Sequence, residues 1–126
     1  MKWNTFDPAC PTRQLLDRVG DKWTVLVISG LIEGPARFGE LRRTVGGVAP
    51  KVLTAVLRSL ERDGFLLRRV YPESPLRVEY SLTPLGRSLA DVVEELRRWT
   101  ERKMDRVVES RSRFDADSKR RAAPLQ

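Results

Sequence analysis

Residues 37–77 read RFGELRRTVGGVAPKVLTAVLRSLERDGFLLRRVYPESPLR, and this stretch decides the fold. Phe38, Leu41 and Val45 recur at helical spacing, which leaves Arg42 and Arg43 on the outer face of a short helix. Gly46-Gly47 makes a turn. Pro50 then opens a second helix at the first helical position, where its missing N–H costs nothing. Val52 or Leu53, with Val56, Leu57 and Leu60, face a core, and Lys51, Thr54, Ala55, Arg58 and Arg62 lie opposite. Asp63-Gly64 is a helix stop. Leu66 to Tyr71 alternates into a strand, residues 72–76 form a loop with two prolines, and Arg77 to Leu82 returns as a second strand. On that strand Val78, Tyr80 and Leu82 share one face, and Arg77, Glu79 and Ser81 the other. Helix, turn, helix and basic hairpin in this order predict a helix-turn-helix with a wing.

Working outward, residues 1–9 form an arm with Trp3 and Phe6 as apolar anchors, since a merely disordered tail has little use for two aromatics. Cys10-Pro11 starts a first helix with Leu15, Leu16 and Val19 as a buried stripe. Gly20 stops it, and Asp21 caps KWTVLVISGLI, which is apolar nearly all round and therefore the central core helix. A short extended piece at Ala36-Arg37 is placed to pair with the hairpin. Thr83-Pro84 starts a long helix that runs to about Ser110. Leu85, Leu89, Val92, Leu96 and Trp99 mark one stripe on it, too long for so small a core to cover. That excess predicts a two-fold homodimer in which one face of the long helix buries against the same helix, or the first helix, of a second subunit, with Trp99 as an anchor. The expected organisation is an arm (1–9), a mainly α domain with a small β-hairpin (10–110) and a basic disordered tail (111–126).

The charge balance narrows the function. The net charge of +7 is uneven: residues 37–77 hold nine basic and four acidic groups, whereas residues 1–36 hold four of each. Concentration on one segment points to a polyanion partner, where even spreading would argue only for solubility. With no histidine in the chain, the commonest general base and metal ligand is missing, and Gly46-Gly47 lacks the Lys-Ser/Thr of a phosphate loop. An enzyme is not expected, nor a cofactor or metal. No apolar run approaches the roughly 20 residues of a membrane span, and the first ten residues lack the apolar stretch of a secretory signal. A single cysteine suits a reducing cytoplasm.

The partner this pattern fits is double-stranded DNA. A recognition helix needs small or hydrogen-bonding residues near its N-terminus, which enters the major groove. Ala49, Pro50 and Ala55 permit close approach, Thr54 can bond a base or lay its methyl near thymine, and Lys51 can reach a base edge or a phosphate. Arg58 lies one turn further on, within reach of the backbone. Of the hairpin arginines, Arg77 beside the loop is the best wing contact, and Arg68 and Arg69 read equally as phosphate clamps or surface charges. The bland alternative is a solvated helix face; a winged helix that binds protein is another, disfavoured by the basic balance.

CPTRQLLDRVGDKW (10–23), FGELRR (38–43) and APKVLTAVLRSLERDGFLLRRVYPESPLRVEYSLTPLGRSL (49–89) together resemble the HxlR-type family of bacterial transcription regulators, relatives of the MarR-type winged helix-turn-helix proteins. The resemblance runs from about Cys10 to Trp99. It implies a homodimeric regulator that dimerises through the N-terminal arm and the C-terminal helix. It also implies that Cys10 matches a position which, in some members, senses electrophiles and oxidants. A thiol at a helix N-terminus, with Arg13 on the first turn, has reason to ionise; the competing reading is a small packing residue. Two departures stand out: Ala49-Pro50 where Ser-Gln is frequent, and the basic tail. Operator, effector, regulated genes and the sign of regulation are not written in the residues.

Overall fold

The computed structural model describes residues 2–122. Its elements are α1 (Pro11–Val19), α2 (Lys22–Gly30), α3 (Phe38–Thr44), α4 (Pro50–Arg62), β1 (Leu66–Tyr71), β2 (Arg77–Leu82) and α5 (Pro84–Ala122). The chain packs as two compact units that divide between Glu94 and Glu95. Val93 is the last buried residue of α5, which accounts for the position of the divide.

The core of the first unit gathers around α2. Asp21 accepts the Thr24 N–H at 3.3 Å and fixes the start of that helix. Val25, Val27, Ile28 and Leu31 are buried and meet Leu41 and Val45 from the α3 side and Leu53, Leu57 and Leu60 from α4. Each such side chain contributes on the order of 1.5–3 kcal/mol by leaving water. The choice between Val52 and Leu53 falls to Leu53, which is fully buried while Val52 is exposed.

Helix α4 ends in a Schellman turn. Gly64 takes φ +86°, and the Phe65 N–H donates to the Leu60 carbonyl at 2.9 Å. Phe65 and Leu66 therefore drop into the core and launch β1 at once. Strands β1 and β2 pair antiparallel, Leu66 opposite Leu82 and Tyr71 opposite Arg77. Ala36 adds the expected short third piece, exchanging hydrogen bonds with Tyr80 at 2.8 and 2.9 Å. Thr83 joins the hairpin base to α5: its N–H donates to the Phe65 carbonyl, and its Oγ1 accepts the Gly86 N–H at 3.0 Å. Gly86 packs so closely that a Cβ there would collide with the Phe65 carbonyl.

Two expectations need correction, the buried stripe of α1 and the end of α5. Helix α1 buries none of its residues; Leu15 and Leu16 are exposed, and only Val19 reaches the core. The nine-residue helix meets the core at its C-terminal end, where Arg18 also pairs with Asp63 at the end of α4. On α5 the face turned to the core is Gly86, Ala90 and Val93, because small residues let the helix approach. Leu89 is half-buried beside that face, and Leu85, Val92, Leu96 and Trp99 are exposed. Finally, α5 does not stop near Ser110 but continues to Ala122. Residues 111–122 hold no glycine or proline, and the Glu109–Arg113 and Asp117–Arg120 pairs sit at helical spacing. The expected tail's last residues, 123–126, lie outside the described residues.

Candidate nucleic-acid interface

Helix α3 begins with the Arg37 N–H donating to Glu40 Oε1 at 3.0 Å. It carries Arg42 and Arg43 exposed on its outer side. The turn that follows needs Gly47, whose φ is +84°, and is pinned by buried Val48. Ala49 then caps α4 without a side-chain hydrogen bond, and Pro50 supplies no N–H. The amides of Lys51 and Val52 thus face outward at the positive end of the helix dipole, an arrangement suited to a phosphate oxygen.

The N-cap Ala49 and, on α4, Pro50, Lys51, Thr54, Ala55 and Arg58 are exposed, as are Val52, Glu61 and Arg62. Thr54 Oγ1 donates to the Pro50 carbonyl at 2.9 Å, so its hydroxyl proton is held within the helix. What Thr54 offers outward is its methyl group and an acceptor lone pair. Among the described residues, Arg42, Arg43, Lys51, Arg58 and Arg68 have no ion-pair partner. The α3 and α4 cations are therefore exposed charges without an ion-pair partner among the described residues.

The wing differs. Arg68 and Arg69 are exposed on β1. Arg77 lies with its guanidinium 3.7 Å from the centroid of the Tyr71 ring. Its Nη2 donates to Glu73 Oε1 at 2.9 Å, and its Nη1 stands 3.7 Å from Glu79 Oε1. The side chain is 27% exposed, and Nε is buried with no partner. Arg69 sits opposite Glu79, and a side-chain hydrogen bond with Tyr71 raises its already high pKa, with Glu79 adding to the effect. The sequence sets Glu79 on the strand face of Arg77, but the partnership of Tyr71, Glu73 and Glu79 with Arg77 was not among the expectations. The signal was there: Glu73 stands four residues before Arg77 across a loop, and Glu79 two residues after it on the same strand face.

At the other end of the first unit, Cys10 caps α1 and is half-buried. Thr12 Oγ1 donates to its Sγ at 3.1 Å and the Asn4 N–H does so at 3.3 Å. These bonds, Thr12's first, hold the thiol pKa below its ordinary value, against opposing pushes from desolvation and, after it, from Asp7. Arg13 does not take part: it donates to the Phe6 carbonyl at 3.4 Å. Trp3 and Phe6 are exposed. Beside them an open cavity of about 470 Å³ is lined by Trp3, Thr12, Leu15, Arg18, Phe65 and Leu85, among others. No helix among the described residues is long and apolar enough to cross a membrane.

A helix-turn-helix with an open basic second helix, followed by a two-stranded wing, defines a winged helix-turn-helix protein. The comparisons agree. Residues 18–108 match the profile of the HxlR-like helix-turn-helix family, and the chain belongs to that family. It is 46% identical over 105 residues to the uncharacterized HTH-type transcriptional regulator YtfH of Escherichia coli K12, covering 83% of each chain. The solved ytfH structure from Salmonella typhimurium superposes with a TM-score of 0.84 at 44% identity, covering 88% of this chain and 99% of that one. The structure of the redox regulator HypR in its oxidized form matches with a TM-score of 0.67 at 41% identity, covering 73% of this chain and 95% of that one. The protein is thus a DNA-binding transcriptional regulator of the helix-turn-helix type, a class that is not enzymatic.

Proposed function

We propose that the protein acts in the cytoplasm as a homodimer that lays one α4 in each of two major-groove half-sites of an inverted-repeat operator. The observation that carries this reading is the outer face of α4. Ala49, Pro50 and Ala55 are small enough for close approach, and Lys51 and Arg58 are exposed and unpaired. Arg42 and Arg43 on α3 and Arg68 on β1 add phosphate-seeking charge around it. The two-fold partner is supported by apolar surface that one chain leaves uncovered: Trp3, Phe6 and Leu16 at the N-terminal end, and Leu85, Val92, Leu96 and Trp99 on α5.

The experiment is selection of bound fragments from genomic DNA, followed by footprinting and sedimentation. The expected result is a dimer protecting two inverted half-sites whose centres lie about 34–36 Å apart or a multiple of that. A monomer at micromolar concentration, or a single unpaired half-site, would overturn it.

A second reading concerns the signal. Two hydrogen bonds to Cys10 Sγ stabilise a thiolate, and HypR, a similar chain, is described as a redox regulator. We infer that oxidation or alkylation of Cys10 alters DNA affinity. With one cysteine in the chain, the product is an intersubunit disulfide, a mixed disulfide with a small thiol, or an adduct. Affinity measured before and after diamide treatment, in wild type and Cys10→Ser, decides it. Equal affinity in all four samples would remove the thiol role and leave the open cavity near Trp3 as the place to look for a small effector.

A further inference from the structure

The wing carries three arginines, and the structure gives them different work. We infer that Arg77 is the positioning residue of the wing and not a contact to DNA, and that Arg68 is the hairpin cation left to meet phosphate. This rests on the DNA-binding reading above. Tyr71 and Arg77 are cross-strand partners at the last register position before the loop. Arg77 closes that loop from one side: its guanidinium covers the Tyr71 ring, binds Glu73 in the loop and faces Glu79 on its own strand. The Glu73 N–H donates to the Tyr71 carbonyl at 2.8 Å and tightens the same turn.

Only a flat, forked cation can stack on a ring and serve a carboxylate at its edge together; a lysine ammonium cannot. Pulling Arg77 out toward a phosphate would also uncover Glu73 and Glu79, two carboxylates left facing a polyanion. Arg69 belongs to the same strand face, opposite Glu79. On that face two arginines therefore balance two glutamates. Arg68 projects from the other face, opposite Tyr80, with no ion-pair partner among the described residues. The wing tip is thereby set in shape and close to neutral, with Leu76 prominent upon it.

Salt titration of affinity for a selected genomic fragment tests this, because each phosphate contact contributes about 0.9 to the log–log slope. Arg68→Ala is expected to flatten the slope by about one ion. Arg77→Ala is expected to weaken binding about tenfold with the slope unchanged, and Arg77→Lys not to restore it. Glu73→Gln is the decisive arm, and it stands even if Arg77→Ala does not fold. If Arg77 positions the wing, loss of its partner weakens binding although the protein has become more positive. If Arg77 contacts phosphate, the same change frees it, and binding tightens. Tighter binding by Glu73→Gln, or a slope reduced by one ion in Arg77→Ala with rescue by lysine, would overturn the inference while leaving the DNA-binding reading intact. A wild type that binds no fragment, or binds indifferently to salt, would instead sink that reading and this inference with it.

Discussion

Helix α4 and the hairpin each carry three basic residues, yet they present them differently. On α4, Lys51 and Arg58 lie on an outer face that also holds Thr54 and Ala55, with no acid among them. On the hairpin, antiparallel register sets Arg69 against Glu79 and Arg77 beside Tyr71, and the loop returns Glu73 to Arg77. A helix spreads its charges along one face at intervals of three and four. On the hairpin the loop and the facing strands bring Glu73, Glu79 and Tyr71 against the arginines, so those charges find partners. A count of charge by segment therefore overstates what the wing can offer DNA and is a fair guide to what α4 can.

The same two regions differ in how they are held, and the largest expected effects follow from that. Leu53→Ala removes a fully buried side chain from α4 and is expected to cost about 3 kcal/mol in urea unfolding. Val70→Ala on β1, where the side chain is exposed, is expected to cost below about 1 kcal/mol. Comparable losses at both sites would erase the contrast between a core-locked helix and a surface hairpin. Gly86→Ala strikes the junction beneath the wing, where the new Cβ meets the Phe65 carbonyl; about 2–3 kcal/mol of destabilisation is expected. Wild-type stability there would mean that α5 can move away from the hairpin base at little cost.

A smaller effect separates reading from positioning on α4. Because the Thr54 hydroxyl proton is committed to Pro50, the methyl group is the stronger candidate for base contact. Thr54→Ser is expected to change preference among operator variants by about 1 kcal/mol at one base pair, and Thr54→Val to change it less. The reverse order would make the hydroxyl the reader. Smallest is the thiol. Hydrogen bonds from Thr12 and Asn4 lower the Cys10 pKa, so thiolate persists to lower pH than for an ordinary cysteine. The pH midpoint of its alkylation by iodoacetamide should lie below that of a free thiol and rise in Thr12→Val. Identical midpoints in the two proteins would show that Thr12 does not tune it.

Much of this architecture was legible because its signals are local. Pro50, Asp63-Gly64 and Thr83-Pro84 punctuate the chain, and Leu53, Leu57 and Leu60 repeat at helical spacing. The winged fold and the exposed α4 face follow from that pattern. What escaped depends on how turns and strands fold neighbouring residues onto one another or on energies spread thinly. Arg77 reads as a loop-edge cation until its cross-strand neighbours are known. Leu15 and Leu16 have the spacing of a buried stripe, but spacing does not say whether the chain itself supplies a cover. Residues 111–122 have the composition of a disordered tail, yet they also lack helix breakers and hold paired charges, and helix prevails. At Cys10 the placement at a helix start was legible, but the tuning group was not: it is Thr12, two residues on, and not Arg13.

The central claim is that α4 meets DNA with open cations. Its most direct test is the salt dependence of affinity for a selected genomic fragment, in wild type and in a Lys51→Ala/Arg58→Ala variant shown to be folded and of unchanged oligomeric state. The account predicts weaker binding and a log–log slope flatter by roughly two ions per bound chain. A variant with wild-type affinity and an unchanged slope would contradict it, because the α4 face would then not be where this protein holds DNA.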